Sequence, residues 1–431
     1  MIPEVEALDT RPAVIRIPSQ MDVPVTPRIM RLVDTQAFQR LNRISQLGLV
    51  AKVYPGATHT RFEHSLGVYR NSLSFIRQLS QFPAFKEQFD GSSIEALVIA
   101  ALLHDVGHWP YCHPIEDIGL TTLPHHEAVA ASILETEELA TLLKKDWSCA
   151  TDLVARIIHG KPADTKESVL CSILSGPIDI DKMDYLYRDS LHCGVPYGMN
   201  FDSPRLINSI CLNETKNGIA ISSKGKTAAE MMVFARYVMF SEVYWHHAVR
   251  SATAMLQRAF CNAATNGLPH DLASLAQWDD ISFSQWLIAD KNNGPAQALF
   301  GKQRQLYKRL LCFTAESNAE MYRKIAHRPY DWLQETSQRL AKELSSVSSE
   351  TIHSDEILID SPPTGLEIQF KVTIHDRDGF RQLEEVSPVV KALAQRQFDD
   401  FVKRVRVFIH PRLQGIFQTA RAKQLLEKCC G

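Results

Sequence analysis

The chain has 431 residues, 45% of them apolar and 22% charged, with a net charge of −2, the make-up of an ordinary globular protein with room for one large domain or two. So neutral a balance excludes a global pull toward nucleic acid or a membrane surface, so any attraction to a polyanion must be local. Nine cysteines without a CxxC spacing exclude a disulfide scaffold or a zinc knuckle and point to reduced thiols in a cytoplasm. The opening MIPEVEALDT has neither the basic nor the apolar region of a signal peptide, and no apolar run reaches membrane-spanning length. A cytoplasmic protein with no membrane partner is expected.

Residues 1–27 are proline-rich and aperiodic and read as an extended arm, with a strand at 13–17. Helical spacing runs from Pro27 to about Leu47, where Ile29, Leu32, Val33, Phe38, Leu41, Ile44 and Leu47 recur mostly at three and four. Seven Lys/Arg between Arg28 and Arg70 against Asp34 and Glu63 leave a local charge of +5. That is ordinarily a solvated face; beside an active site it could hold a polyphosphate. Tyr54-Pro55-Gly56 is turn chemistry, and a helix beginning near Arg61 carries His64. The next helix, 94–105, is apolar until it ends in His104-Asp105. His108 to His113 are expected in a loop, because Pro110 and Pro114 oppose a helix. Helices follow at 128–134, 150–159 and 168–174.

After Gly176-Pro177, residues Asp181, Asp184, Tyr185, Arg188 and Asp189 recur at three and four and share one helix face. Asn217-Gly218 predicts a hairpin, and 227–263 a long helix holding Tyr244 to His247. Helices and loops alternate over 264–346. Beyond a serine-rich stretch the pattern changes: strands at 357–360, 366–374 and 404–410, helices at 386–403 and 413–428. The expected fold is mostly α: an N-terminal arm (1–27), a helical body (28–346) and a small α/β C-terminal lobe (347–431).

The chemistry centres on His104-Asp105. An imidazole and a carboxylate at the end of a buried helix are costly unless paired or on a metal. For the dipeptide alone, a capped helix end is the simpler explanation. With His64 and Asp181 it makes two imidazoles and two carboxylates, a set suited to a divalent Mg, Mn, Fe, Co, Ni or Zn ion, though no single spacing among them is diagnostic.

The order His, His-Asp, distant Asp resembles the HD superfamily of metal-dependent phosphohydrolases. Further segments are similar to its deoxynucleoside triphosphate triphosphohydrolase branch: Phe38-Gln39-Arg40-Leu41 with Gln46-Leu47-Gly48, Arg61 to Gly67, His104 to His108 with Pro110 and His113, His126-Glu127, and Asp179 to Asp189. The resemblance implies an HD-type helical body and His64, His104, Asp105 and Asp181 as metal ligands. It implies Arg61, Lys182 and Tyr185 as triphosphate holders and Gln46, Leu47 and Asp189 as the sugar-contacting set. His108, His113 and His126 match a second histidine cluster, with His113 nearest the reacting phosphate. The implied reaction converts a dNTP and water to deoxynucleoside and triphosphate, in a homo-oligomer (dimer or tetramer) that a nucleotide effector can activate.

The match departs at Asn42, where the vertebrate enzyme has an arginine that reads an activating nucleotide; Asp34 and Gln39 agree. Seven basic residues between Lys403 and Lys428 against Glu427 read as a solvated face, so a nucleic-acid partner has no support. His59 and His192 carry no assigned role, Asp179 and Asp184 read as helix-start or salt-bridge carboxylates, and His246 and His247 as packing groups. Two alternatives stay open: another HD phosphohydrolase acting on phosphodiesters, (p)ppGpp or nucleoside monophosphates, and a nucleotide- or nucleic-acid-binding regulator without turnover.

Overall fold

In the structure, a computed structural model, residues 2–10, 12–19, 21–123, 125–265, 277–362, 371–393 and 402–430 are described. The body is organised around the helix Gly91–Leu103, in which every residue from Ser93 to Leu103 is buried. A helix with no polar side can only sit inside others. It packs between Arg61–Leu79 and Thr151–His159, and Ile180–Cys193 crosses the first of these. Asp90 starts it, its carboxylate accepting from Ser93 N at 2.9 Å. Each buried leucine here contributes about 1.5–3 kcal/mol. The arm, expected to be extended, instead opens on a short helix, Pro3–Thr10, before an antiparallel pair, Val14–Ile17 with Met21–Pro24.

Three further expectations are corrected. The helix expected over 27–47 is broken into Pro27–Val33, Gln36–Arg40 and a 3-10 turn at Leu41–Arg43. The Thr35 hydroxyl donates to Leu32 O at 2.7 Å and accepts from Phe38 N, which ends one helix and starts the next. Residues 44–46 are then extended, with Gln46 N donating to His59 O at 3.0 Å and Arg61 N to Ile44 O at 3.0 Å. Second, the expected loop after His108 contains a helix, Cys112–Glu116. Pro114 falls in its first turn, where no backbone N–H is needed. Third, the long helix divides: Lys226–Met239 widens into a π-turn at Phe240–Tyr244, and a new helix starts at His247 and ends at Ala264. His246 caps that helix through Nδ1, which accepts from Ala248 N at 3.3 Å.

Strands form at Ile357–Asp360, Thr373–Asp376 and Val405–Ile409, and a helix at Thr419–Cys429. Parts of the expected strand 366–374 and helix 386–403 lie outside the described residues. Val405–Ile409 is central to an antiparallel sheet, between Lys308–Phe313 and Ile357–Asp360. Thr373–Asp376 pairs parallel with Ile219–Ser222 of the body. Sheet pairing therefore crosses residue 346 twice. The fold is mostly α with small sheets, and no described helix is long and apolar enough to cross a membrane.

Candidate active site

His64 projects from the first turn of Arg61–Leu79, and His104 and Asp105 leave the end of Gly91–Leu103. The crossing helix Ile180–Cys193 brings Asp181 to them. His64 Nε2 lies 3.3 Å from His104 Nε2 and 3.0 Å from Asp181 Oδ1. His104 Nε2 lies 3.8 Å from Asp181 Oδ1 and 3.4 Å from Asp105 Oδ1. The other ring nitrogens face acceptors: His104 Nδ1 is 3.0 Å from Ala101 O, and His64 Nδ1 is 2.8 Å from Asp184 Oδ2. Each Nδ1 is therefore a donor, and both Nε2 atoms face oxygens of Asp105 and Asp181; the ligand atoms of His64, His104 and Asp105 lie within 4.8 Å of one another.

Such a set repels itself unless positive charge enters it. Burial opposes a charge on His64, yet the carboxylates of Asp181 and Asp184, accepting from its ring, outweigh it and raise His64 to about 10. Asp105 is held well below the usual carboxylate range, against its burial, by His108, by the Arg61 guanidinium at 2.9 Å and by His104. Two imidazole nitrogens and two carboxylate oxygens fit a borderline or hard divalent ion.

A second cluster stands beside the cage. His108 Nε2 is 3.2 Å from His113 Nε2, and the His126 ring lies 4.0 Å from the His108 ring, centroid to centroid. Glu116 accepts from His126 N at 2.8 Å and from its Nδ1 at 3.1 Å, and lies 3.7 Å from His113 Nδ1. Those histidine hydrogen bonds, overcoming burial, hold Glu116 well below the carboxylate range. Burial and Arg61 push His108 well below the ordinary histidine value, against the pull of Asp105. Gly107 allows the approach: a Cβ there would lie 2.1 Å from His126 O. Buried Arg40 fixes the loop from outside, donating to Val106 O at 2.8 Å and His108 O at 2.7 Å. The donor atoms of His108, Cys112, His113 and His126 also lie within 4.8 Å of one another. Burial pushes the Cys112 thiol up to about 12.

Both clusters open into one cavity of about 540 Å³. Every site residue expected from the sequence lines it except Lys182, whose Nζ is bound by Asp179 at 2.6 Å. About two turns beyond Asp181 on the same helix, Asp189 is fixed through both oxygens, by His59 Nε2 at 2.9 Å and by the Tyr244 hydroxyl at 2.6 Å. Gln46 Oε1 and Arg61 Nε are buried without a hydrogen-bond partner among the described residues. His246 and His247 are not part of the wall.

Comparison with known families matches an HD domain over residues 61–189 and an HD associated region over 201–426, the latter half of the chain. An uncharacterized protein of Methanocaldococcus jannaschii is 31% identical over 384 residues, 88% of this chain and 76% of that one. The chain belongs to the HD-domain family of metal-dependent phosphohydrolases. Within that family it resembles the branch of the deoxynucleoside triphosphate triphosphohydrolase SAMHD1. The Gallus gallus enzyme of that name is 29% identical over 275 residues, 56% of this chain but 44% of that protein. A solved hypothetical protein from Aquifex aeolicus aligns over 96% of this chain and 99% of its own, with a TM-score of 0.74 and 27% identity.

The HD-domain match holds the whole cage and all three histidines of the second cluster. Gln46 lies before it, and Tyr244 comes from the HD associated region. Sequence reasoning missed Tyr244, Glu116 and the contact of Asp184 with His64. Only Asp184 left a signal, sitting between Asp181 and Arg188 at helical spacing. An HD cage that binds its ion in the folded state alone stabilises the fold. Adding a divalent ion to chelator-treated protein at about 100 times its Kd is expected to add about 2.7 kcal/mol, read as a rise in melting temperature that His104→Ala abolishes.

Proposed function

We propose that this phosphohydrolase cleaves deoxynucleoside triphosphates to deoxynucleoside and inorganic triphosphate. The observation that carries the reading is a single cavity lined by the cation cage, Arg61, the histidine cluster and the fixed Asp189–Tyr244 pair. Similarity to the SAMHD1 enzyme supports the same substrate class.

When bound, a divalent ion supplies Lewis-acid polarisation of the phosphoryl group and acidifies water. In this reading the water oxygen bonds to the α-phosphorus and the bond to the 5′ oxygen breaks. Arg61 offsets charge spreading over the phosphate oxygens. His113, at the cavity edge, gives the departing 5′ oxygen its proton. Asp189 accepts from a sugar hydroxyl. Because the Tyr244 hydroxyl is engaged by Asp189, its ring carbons face the sugar. A ribose 2′-hydroxyl buried there without a partner costs about 1–3 kcal/mol, which favours the deoxy sugar by roughly one to two orders of magnitude.

The test is product analysis: metal-stripped protein, each dNTP and NTP, and Mg, Mn, Co or Ni in turn, with products separated by anion exchange. Intact triphosphate is the expected product. Monophosphate with pyrophosphate would move the attack to another bond. No turnover in any mixture would sink the reading and direct attention to phosphodiesters, (p)ppGpp and nucleotide binding without hydrolysis.

A further inference from the structure

We propose that Asp184, Arg188 and Glu63 are positioning residues that lock the His64 imidazole in the orientation the cation requires, and that Gly67 is glycine in order to admit them. Asp184 Oδ2 lies 2.8 Å from His64 Nδ1, on the side of the ring away from the cage. The same carboxylate takes the fork of Arg188, whose Nε donates to Oδ2 at 2.8 Å and Nη2 to Oδ1 at 2.6 Å. Arg188 Nη1 donates to Glu63 Oε1 at 2.6 Å, and that oxygen lies 3.0 Å from His192 Nε2. Three donors from two side chains thus fill one carboxylate. Asp184 is a brace behind the ring and not a fifth ligand.

Two further observations show that the brace is built and not incidental. Asp184 and Arg188 are 3% and 2% exposed. A buried ion pair is a poor way to gain stability, because desolvation consumes most of the attraction, so its presence next to a metal ligand calls for another reason. In addition, the helix that carries His64 is hollowed to receive it. Gly67 sits three residues on, on the same face, and a Cβ there would lie 1.8 Å from Asp184 Oδ1 and 2.5 Å from Arg188 Nη2. Any other residue would push the brace off the ring. A carboxylate behind a histidine ligand fixes its tautomer and its angle and makes it a stronger donor, and loss of such a partner typically costs 10–100-fold in metal affinity.

The experiment is a titration of the full, metal-stripped chain with cobalt(II) chloride alone, followed by the visible absorption of the bound ion and by cobalt retained after gel filtration. No nucleotide is present, so the outcome is independent of the substrate reading. Asp184→Asn offers one acceptor oxygen to three donors, and Gly67→Ala displaces the brace while leaving every charge in place. Both are expected to weaken cobalt binding about 10–100-fold and to shift its absorption band. Melting of the metal-free proteins separates this from a general loss of structure, which would lower the melting temperature without altering the band. Glu63→Gln, at the outer end of the brace, is expected to move affinity and band the same way by less, and it decides the matter if the buried variants do not fold. Cobalt affinity within about twofold of the parent and an unchanged band in the folded variants would overturn the proposal.

Discussion

Asp105→Ala is expected to abolish turnover and to cost about 3–5 kcal/mol of stability, whereas His104→Ala is expected to abolish turnover at about 1 kcal/mol. The contrast follows from what each removal leaves behind. Asp105 is 3% exposed and is the carboxylate that meets the Arg61 guanidinium at 2.9 Å; His108 Nδ1 lies 3.1 Å from its other oxygen. Without it a buried cation loses its partner, which is the expensive way to break a pair. The His104 side chain lines the cavity, and its removal gives up the hydrogen bond to Ala101 O and the 3.3 Å contact of its Nε2 with His64 Nε2, with no buried cation left behind. Urea unfolding of both variants beside turnover with manganese separates the two effects. Equal losses of stability would mean that Arg61 finds another counter-charge.

His113→Ala is expected to lower kcat by about 10²–10⁴-fold while KM and metal content hold. The side chain is 58% exposed at the mouth of the cavity, so its loss leaves no buried orphan. Its neighbours prepare it for one task. His108 Nε2 faces its Nε2 at 3.2 Å, and Glu116 lies 3.7 Å from its Nδ1. Because Glu116 binds its proton less tightly folded than unfolded, its contacts support the fold above the ordinary glutamate range. That support fades as pH falls below about 4.3 and on through the depressed folded value. Near neutrality Glu116 is therefore a fixed anion behind the histidines. Single-turnover kinetics would isolate the chemical step, and an unchanged kcat would take the proton-transfer role from His113.

Much of this site was legible in the sequence because its parts are short and local. His104-Asp105 ends an apolar helix, and Asp181 shares a helix face with Asp189, so their neighbourhood followed from spacing once His64 was joined to them by resemblance. The helix boundaries that failed did so where a side chain competes with the backbone. Thr35 ends a helix that apolar spacing carried on to Leu47. Pro114 sits in a helix because only the first turn tolerates it there. Lys182 adjoins Asp181 on the same helix, and its ammonium is paired with Asp179, a contact that its position alone does not announce. Burial raises that carboxyl to about 6 even with the ammonium against it. Tyr244 was out of reach, since no periodicity in its sequence distinguishes a π-turn from an ordinary helix.

The π-turn at Phe240–Tyr244 gives the cavity an unusual kind of fragility. A wider turn is one in which the chain spends an additional residue before coming round, and Trp245 N reaching back to Phe240 O at 2.8 Å closes it. The meeting of Tyr244 with Asp189 therefore depends on arc length as well as on identity. Losing one residue from this stretch would let it relax into a regular helix and swing the ring by about 100°. Substitutions can drift through the neighbouring positions, but insertions and deletions cannot. In length variants of this segment, loss of the Tyr244–Asp189 contact is expected to follow its length more closely than the letters in it.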